Sequence, residues 1–338
     1  MTIKDIAQLS GYSLGTVSRV LNNHPDVSEK ARERVLAVVA EHNFQPNANA
    51  KHLKQLSSSA IAILVKGSQN LLFADILERI QSLLRDSGEE DFVCYLDEDA
   101  NEVSYAIQLC RERHPKGLIF LGGDLEFFQR DFAQLPLPSV LLTNSAKGLD
   151  FPNLSSFTTD DFTAAGEAVD YLAAKGHRHI GALGGNLSHA QMSYRRIQGC
   201  QARLAQHQIP FDQSVQYEPC RYSMSAGYEA AMRLLKRDPD LTAIFALGDV
   251  IAFGAMRAIF DMGLRVPEDI SLVGYDGIAT SRYCVPRLTT IRQDTAELAR
   301  RGVDTLLQRI HYNNYPPVHA ITPFQLIEGE SVLHLHAL

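Results

Sequence analysis

The chain has 338 residues, of which 45% are hydrophobic and 21% charged, a composition ordinary for a globular protein of two or three domains. Its five cysteines are odd in number and never form a CxxC pair, which argues against a disulfide framework or a zinc site and favours a reducing, cytoplasmic compartment. No segment has the pattern of a signal peptide or a membrane span, so we expect neither secretion nor a membrane partner.

The formal net charge of −7 is unevenly distributed along the chain. The first 59 residues carry seven Lys/Arg and five Asp/Glu, a net charge of +2. The rest of the chain carries 25 Lys/Arg and 34 Asp/Glu, a net charge of −9. A slightly basic N-terminal segment on an acidic body indicates two parts with different partners.

The first 43 residues have the pattern of three short helices joined by tight turns. Thr2 and Asp5 form a capping-box pattern before the first helix, which Gly11 ends. Ser13 and Ser28 are the predicted N-caps of the second and third helices. Three small helices with such short turns predict a helix-turn-helix domain.

A weaker helix is predicted after these three. Pro46 can start a helix, and the segment "NANAKHLKQ" can form about two turns over residues 47–55, while "SSS" at 57–59 is typical of a linker. Because an isolated helix this short is marginal in water, we expect it to need a partner.

From residue 60 onwards, short apolar segments alternate with amphipathic helices. The first set of strands is "AIAILV", "FVCYL", "GLIFLG" and "PSVLLT", and the second is "HIGALGG", "TAIFAL" and "ISLVGYD". Continuous apolar strands separated by helices predict parallel sheets covered on both faces. Taken alone, this pattern predicts two doubly wound α/β domains in succession, each of about 100 to 130 residues.

Sequence motifs of catalysis and of cofactor binding are missing. The chain contains no GxGxxG after a strand, no GxxxxGK[ST], no HExxH and no GxSxG. We therefore expect a protein that binds no cofactor and no metal and is not an enzyme. Asp249, Asp276 and Arg196 instead follow predicted strands, where α/β sheets bind ligands. An α/β enzyme would need a base or nucleophile in the cleft, for which Asp276 beside Arg196 is the candidate.

Five segments closely resemble one family, the lactose/galactose repressor (LacI/GalR) family of bacterial transcription regulators. They are "TIKDIAQLSGYSLGTVSRVLNN", "VSEKARERV", "FQPNANAKHL", "GLRVPEDISLVGYD" and "VPRLTTIRQD", and the likeness runs from about residue 2 to 335. The resemblance implies an N-terminal all-α helix-turn-helix headpiece with a hinge helix, followed by an α/β core like that of periplasmic binding proteins, with two doubly wound parallel-sheet lobes.

The resemblance also changes the expected domain boundaries. It implies a DNA-binding head over 1–59, with the hinge helix at about 47–55. One core lobe would comprise 60–160 with 292–320, and the other 161–291 with 321–338. The chain would then cross between the lobes three times, which the two sequential domains read from the pattern alone do not include.

The resemblance assigns DNA contacts to the second helix and to the hinge. Arg19 matches the arginine that reaches a guanine, while Leu14 and Gly15 stand where members vary the residues that read base edges. Leu53 matches the leucine that wedges between base steps in the minor groove. Further contacts in the hinge segment are Asn47, Ala50 and Lys54. The implied contacts to phosphates are Thr2, Ser13, Thr16, Ser18, Asn22 and Ser28.

The resemblance places an effector in the cleft between the core lobes. Tyr222 falls at the position of the family's aromatic wall, and Arg196 matches the arginine of an R-x-x-G motif that ends here at Gly199. Asp249 stands where sugar-binding members often carry asparagine. The implied effector contacts are Leu72, Phe73, Arg196, Tyr222, Asp249, Asp276 and Gln293.

The implied function is an effector-controlled, sequence-specific DNA-binding transcription regulator, most simply a repressor of carbohydrate uptake or catabolism genes. It would bind a pseudopalindromic double-stranded operator as a homodimer, with a sugar-like small molecule in the cleft, in the bacterial cytoplasm and on the nucleoid when bound to DNA. The short C-terminus has no heptad-bearing tail, so we expect a dimer rather than a tetramer.

Two alternatives remain open at this point. One is a regulator that responds to a nucleoside, a purine or a phosphorylated metabolite. The other is a solute-binding protein, which would share the core but would need a signal peptide and would have no use for residues 1–59.

Overall fold

A computed structural model describes residues 3–21, 27–42, 60–188, 191–312 and 315–335. The chain forms two compact units, Met1–Ser57 and Ser58–Leu338. The predicted hinge helix at about 47–55 lies outside the described residues. Within the described ranges, no helix is long and apolar enough to span a bilayer.

In the residues that the structure describes, the first unit contains three short helices, α1 (Ile3–Ser10), α2 (Leu14–Leu21) and α3 (Glu29–Glu41). Gly11 has a φ of +77°, which lets the chain turn sharply between α1 and α2. The hydroxyl of Ser13 accepts a hydrogen bond from the backbone N–H of Thr16 at 3.2 Å and caps α2. The small core consists of Ile6, Val17, Val20, Val35 and Val38. The predicted helix-turn-helix fold is confirmed.

The described part of the second unit forms two six-stranded sheets. The strands are β1 (Ile61–Lys66), β2 (Asp91–Leu96), β3 (Gly117–Leu121), β4 (Ser139–Leu142), β5 (Leu154–Thr159), β6 (Ile180–Leu183), β7 (Tyr217–Glu218), β8 (Ala243–Ala246), β9 (Ser271–Asp276), β10 (Thr289–Gln293), β11 (His319–Thr322) and β12 (Phe324–Ile327). The first sheet has the order β11-β5-β4-β3-β1-β2 and the second β12-β10-β9-β8-β6-β7. All neighbouring strands are parallel except β10 and β12, which are antiparallel.

Helices cover both faces of these sheets. They are α4 (Leu71–Asp86), α5 (Glu102–Arg113), α6 (Leu125–Asp131), α7 (Asp161–Ala174), α8 (Met192–Gln206), α9 (Gln213–Gln216), α10 (Met224–Arg237), α11 (Asp249–Asp261) and α12 (Thr295–His311). In β1, Ile61 and Ile63 belong to one apolar core, whereas Ala62 and Leu64 belong to another. Since successive side chains of a strand point to opposite faces, β1 is buried on both sides. The predicted doubly wound α/β class is confirmed.

The two lobes exchange chain segments near the C-terminus. After β10 in the second sheet, α12 packs on α4 and on strands of the first sheet. β11 then joins the first sheet, and β12 returns to the second. The lobes are therefore interleaved, unlike the two sequential domains expected from the strand pattern alone.

The last two crossings lie slightly later than the expected boundaries. β10 stays paired with β9 as far as Arg292, and its pairing with β12 includes Gln293, so the expected start of the first-lobe segment at 292 falls inside a second-lobe strand. β11 likewise runs to Thr322 in the first sheet, beyond the expected end at 320. Strand pairing thus moves both crossings about two residues towards the C-terminus.

Candidate functional site

The exposed side of α2 carries the first group of predicted site residues. Val17 and Val20 are buried, whereas Gly15 and Arg19 are exposed on the other side of the helix. Beside them, Thr16 is partly exposed, and its hydroxyl lies 3.0 Å from that of Ser13. An exposed guanidinium among hydroxyl groups is a surface that can contact bases and phosphates.

The predicted DNA contacts are only partly described by the structure. Ser28 is exposed immediately before α3, and its carbonyl accepts hydrogen bonds from the N–H groups of Ala31 and Arg32. The side chains of Leu14 and Ser18 are outside the description, although both residues lie in α2. The predicted contacts that fall entirely outside the described residues are Thr2, Asn22, Asn47, Ala50, Leu53 and Lys54.

The second group of predicted residues surrounds a cavity of about 360 Å³ between the lobes of the core. Lys66 ends β1, Glu98 follows β2, and Asp276 ends β9, so the cavity lies at the carboxyl ends of parallel strands. Of the predicted effector contacts, the residues that line it are Leu72, Phe73, Arg196, Tyr222 and Asp276.

Arg196 is the most buried cation of this wall, with 1% of its surface exposed. Its Nε donates to Asp161 at 2.7 Å, and its Nη1 donates to the carbonyl of Leu247 at 2.5 Å. The guanidinium carbon lies 3.7 Å from the ring centre of Tyr275, whose hydroxyl donates to the same carboxylate at 2.9 Å. Burial alone would lower the pKa of Arg196, but Asp161 and the neighbouring phenol and carboxylate groups raise it above its usual value.

A glycine in the same helix sets the position of Arg196. A Cβ at Gly199 would lie 2.0 Å from the carbonyl oxygen of Phe162, at the start of α7. The absence of a side chain therefore lets α8 approach α7 closely enough for Arg196 to reach Asp161. The R-x-x-G motif thus has a physical explanation: the glycine allows the contact and the arginine makes it.

Asp276 is held in a conformation that proteins rarely use. Its φ is +112°, a strained region for any residue with a side chain, and residues in such regions are concentrated at binding sites. Its carboxylate accepts a hydrogen bond from Gln293 at 2.8 Å and lies 3.8 Å from Arg196. Burial raises the pKa of Asp276 to about 6, against the opposing effect of Arg196.

Tyr222 provides an aromatic wall with an unused polar group. Its ring lies over Gly248, where a Cβ would come within 3.0 Å of a ring carbon. The hydroxyl oxygen is buried and has no hydrogen-bond partner among the described residues. A buried hydroxyl without a partner is costly, which favours a ligand that completes it.

Two predicted effector contacts do not line this cavity. Asp249, at the start of α11, accepts hydrogen bonds from the hydroxyl of Thr290 at 2.6 Å and from the N–H of Ile278 at 2.9 Å. Burial raises its pKa well above the usual value. It ties α11 to β10 and to the loop after β9, because Gly274 leaves room for its carboxylate.

Gln293 lies behind the cavity wall, where it lines a neighbouring pocket. It connects the two lobes, because its amide donates to Asp276 and its carbonyl accepts from the Thr159 hydroxyl at 2.8 Å.

Several wall residues were missed by the sequence analysis, namely Lys66, Asp97, Glu98, Gln191, Arg221 and Glu229. Lys66, Asp97 and Glu98 stand at the carboxyl ends of the predicted strands "AIAILV" and "FVCYL". Open α/β sheets bind ligands at the carboxyl ends of their strands. This principle indicates Asp276 in the second lobe and equally indicates these three residues in the first lobe. Gln191 and Arg221 follow no comparable signal. Among the described residues, no cluster of acidic, histidine or cysteine side chains is arranged to hold a metal ion.

The fold and the cavity define a class of protein: a helix-turn-helix unit and a two-lobed, periplasmic-binding-protein-like core in one chain, the organisation of a transcription regulator. The model of bacterial regulatory proteins of the lacI family matches residues 2–47, and that of the periplasmic binding protein-like domain matches residues 169–332. The chain belongs to the LacI family of bacterial regulators, and its predicted non-enzymatic role agrees with the transcriptional repressors it resembles.

Similar proteins cover nearly the whole chain. The HTH-type transcriptional regulator MalR of Clostridium butyricum is 36% identical over 99% of this chain and 100% of its own. The ribose operon repressor of Haemophilus influenzae is 33% identical over 93% of each chain. The repressor PurR of Haemophilus influenzae is 32% identical over 93% of this chain and 92% of its own.

Solved structures of regulators also align with most of this chain. The lac repressor dimer bound to operator and an anti-inducer aligns with a TM-score of 0.68 and 29% identity over 98% of this chain and 99% of that one. A LacI family regulator from Enterococcus faecium with bound ribose aligns with a TM-score of 0.71 and 26% identity over 82% of this chain and 100% of that one.

The buried Arg196–Asp161 pair leads to a prediction about stability. Asp161→Asn leaves the guanidinium without its counter-charge, and we expect the free energy of unfolding to fall by about 3–5 kcal/mol in urea titrations. The control is Asp75→Asn, which removes the partner of Arg79 on the exposed face of α4 and should cost less than about 1 kcal/mol. Equal losses of unfolding free energy in the two variants would show that the buried pair contributes no more to stability than the exposed pair.

A second prediction follows from the raised pKa of Asp276. The folded protein binds this proton more tightly than the unfolded chain, so the stability it contributes is complete below about pH 4 and is lost as the pH rises through about 6. Between pH 4.5 and 8, we expect wild-type stability to fall relative to Asp276→Asn by about 2 kcal/mol, because part of the full difference is already lost below pH 4.5. Urea midpoints at each pH measure this difference, and parallel curves for the two proteins would contradict it.

Proposed function

We propose that this protein is an effector-controlled repressor that binds a pseudopalindromic operator as a homodimer and takes a sugar-like molecule in its interlobe cavity. The observation that carries the proposal is the cavity itself. Its wall combines the buried Arg196, the strained Asp276 and the hydroxyl of Tyr222, which has no hydrogen-bond partner in the described part of the chain. These groups can donate to and accept from ring hydroxyls while the aromatic face packs on the ring.

The DNA-binding part of the proposal rests on the surface of α2. Arg19 is exposed on a short helix whose opposite side is anchored by Val17 and Val20. A guanidinium in this position can form a bidentate contact with guanine in the major groove. The hydroxyl groups of Ser13 and Thr16 are suited to phosphates, which fix the register of the helix. The predicted hinge contacts at 47–54 belong to the same proposal.

We propose that the effector controls the arrangement of the lobes through contacts between the cavity wall and the segments where the chain crosses between the lobes. Asp161 follows the first crossing and binds Arg196, whereas Gln293 precedes the second crossing and binds Asp276. A ligand that contacts Arg196 and Asp276 therefore acts on the segments about which the lobes move. Its differential affinity for two lobe arrangements would shift the population between them.

The saccharide class is supported by the relatives as well as by the cavity. One relative is a repressor of a ribose operon, and one similar structure contains ribose. The similarity to PurR keeps a purine or nucleoside effector as the alternative. The hydroxyl-accepting carboxylates of the wall favour the sugar.

The operator contact leads to a prediction. Arg19→Ala removes a bidentate base contact, and we expect the affinity for a DNA site selected by the wild-type protein to fall at least about tenfold. Gel shifts at fixed salt measure this loss. The control is Arg79→Ala, which removes an exposed arginine of the core and should leave the affinity unchanged. DNA binding that survives Arg19→Ala unaltered would contradict the proposed recognition helix.

Removal of the Tyr222 hydroxyl should preserve or raise the stability of the ligand-free protein but weaken its affinity for the sugar. Tyr222→Phe removes a buried donor without a partner, so the ligand-free protein should be as stable as the wild type or more stable by about 1 kcal/mol. Affinity for whichever of ribose, maltose or cellobiose binds the wild type should fall about tenfold, because the ligand loses a hydrogen bond.

The matched control for this variant is Tyr228→Phe, which removes an exposed hydroxyl bonded to Asp261. Calorimetric titration and thermal unfolding of both variants give the two readouts. Unchanged sugar affinity in Tyr222→Phe would place the effector away from this wall.

A further inference from the structure

The wall of the interlobe cavity carries more carboxylates than cations. Its acidic residues are Asp97, Glu98, Glu229 and Asp276, and its basic residues are Lys66, Arg196 and Arg221. Further carboxylates stand directly behind the basic residues. The cavity therefore presents an electronegative surface to a molecule that enters it.

The two buried cations of the wall are already bound to acids. Lys66 Nζ lies 2.6 Å from a carboxylate oxygen of Glu102, and both side chains are buried. Arg196 Nε lies 2.7 Å from Asp161, which is also buried. An anion at either group would have to share a buried ion pair or break it, and breaking such a pair is costly.

Arg221 differs because it stands at the mouth of the cavity, with 51% of its side chain exposed. Its guanidinium reaches across from the second lobe to the acidic turn after β2. It lies 2.5 Å from Asp97, 3.4 Å from Asp99 and 3.6 Å from Glu98. Three carboxylates thus surround Arg221, which would otherwise be the cation of the wall best placed to bind an incoming phosphate or carboxylate.

Glu98 is the most shielded member of this acidic turn, with 28% of its side chain exposed against 65% for Asp97 and 80% for Asp99. Its carboxylate also accepts a hydrogen bond from the backbone N–H of Tyr222 at 3.2 Å. This contact joins the turn of the first lobe to the aromatic wall of the second. Glu98 therefore places a negative charge beside the ring on which a ligand would pack.

We propose that this arrangement restricts the effector to uncharged saccharides, and that Glu98 is a specificity-determining residue that keeps Arg221 from accepting an anion. The inference rests on the proposed function, because it takes the interlobe cavity as the effector site. Hydroxyl groups can donate to the wall carboxylates and to the unpartnered oxygen of Tyr222 without adding negative charge. A sugar phosphate or a uronate would be repelled by these carboxylates at short range.

The test is calorimetric titration of the full-length protein, at neutral pH and fixed ionic strength, with matched pairs of probes. The pairs are ribose with ribose 5-phosphate, glucose with glucose 6-phosphate, glucose with glucuronate, and cellobiose with cellobionate. We expect at least one uncharged probe to bind the wild type. Its anionic counterpart should bind more than about tenfold more weakly.

Variants of the mouth test the role of Glu98. Glu98→Gln frees Arg221 from one carboxylate and should reduce the discrimination between uncharged and anionic probes severalfold. Adding Arg221→Gln in the same chain should restore the discrimination, because the freed cation is then absent. The matched control is Glu78→Gln, which makes the same change in net charge on the exposed face of α4 and should leave the ratio unaltered.

Three results overturn the inference: an anionic probe that binds the wild type as tightly as its uncharged counterpart, a set in which no uncharged probe binds, or a Glu98→Gln ratio equal to that of the wild type. Should Glu98→Gln fail to fold, Asp97→Asn alters a side chain that is 65% exposed and tests the same release of Arg221. Because these affinities are measured without DNA, the inference can fail while operator binding holds. Loss of operator binding would contradict the regulator and leave the ratio intact.

Discussion

The buried ion pair between Arg196 and Asp161 is the constraint on which the core depends. A guanidinium with 1% of its surface exposed is tolerated only because it donates to a carboxylate and to the carbonyl of Leu247 and stacks on the face of Tyr275. These partners come from α7, from the end of β8 and from β9. One side chain therefore fixes the geometry of the cavity wall and the start of the segment that enters the second lobe.

The same wall is connected to the second crossing through a separate chain of hydrogen bonds. Asp276 accepts from Gln293, which in turn accepts from Thr159 at the end of β5 in the first lobe. A ligand between Arg196 and Asp276 would thus touch two groups whose partners lie at two different crossings. The proposed control of the lobe arrangement by the effector therefore needs no long pathway through the protein. The groups that contact the ligand are bonded directly to residues at the lobe crossings.

Sequence patterns predicted the class of each element better than the direction of each side chain. The run "LSSFTT" does not have the continuous apolar pattern that predicts a buried strand, because four of its six residues are Ser or Thr, yet β5 is buried throughout. Its hydroxyls are used by distant partners: Ser155 accepts from the N–H of Val318, and Ser156 bonds His319. Asp249 and Asp276 both follow apolar strands, but Gly274 and Thr290 turn Asp249 away from the cavity. Such tertiary partners cannot be read from local periodicity.

The cavity retains several costs that a tighter core would avoid. Asp276 has a φ of +112° and a pKa raised by burial, and the buried hydroxyl of Tyr222 has no partner among the described residues. A polyhydroxylated ligand can satisfy both polar side chains, since a hydroxyl can donate to the carboxylate and accept from the phenol. Binding would then relieve the ligand-free state as well as add contacts. Relief of these costs strengthens binding, and it would shift the conformational equilibrium to the extent that it differs between the two lobe arrangements.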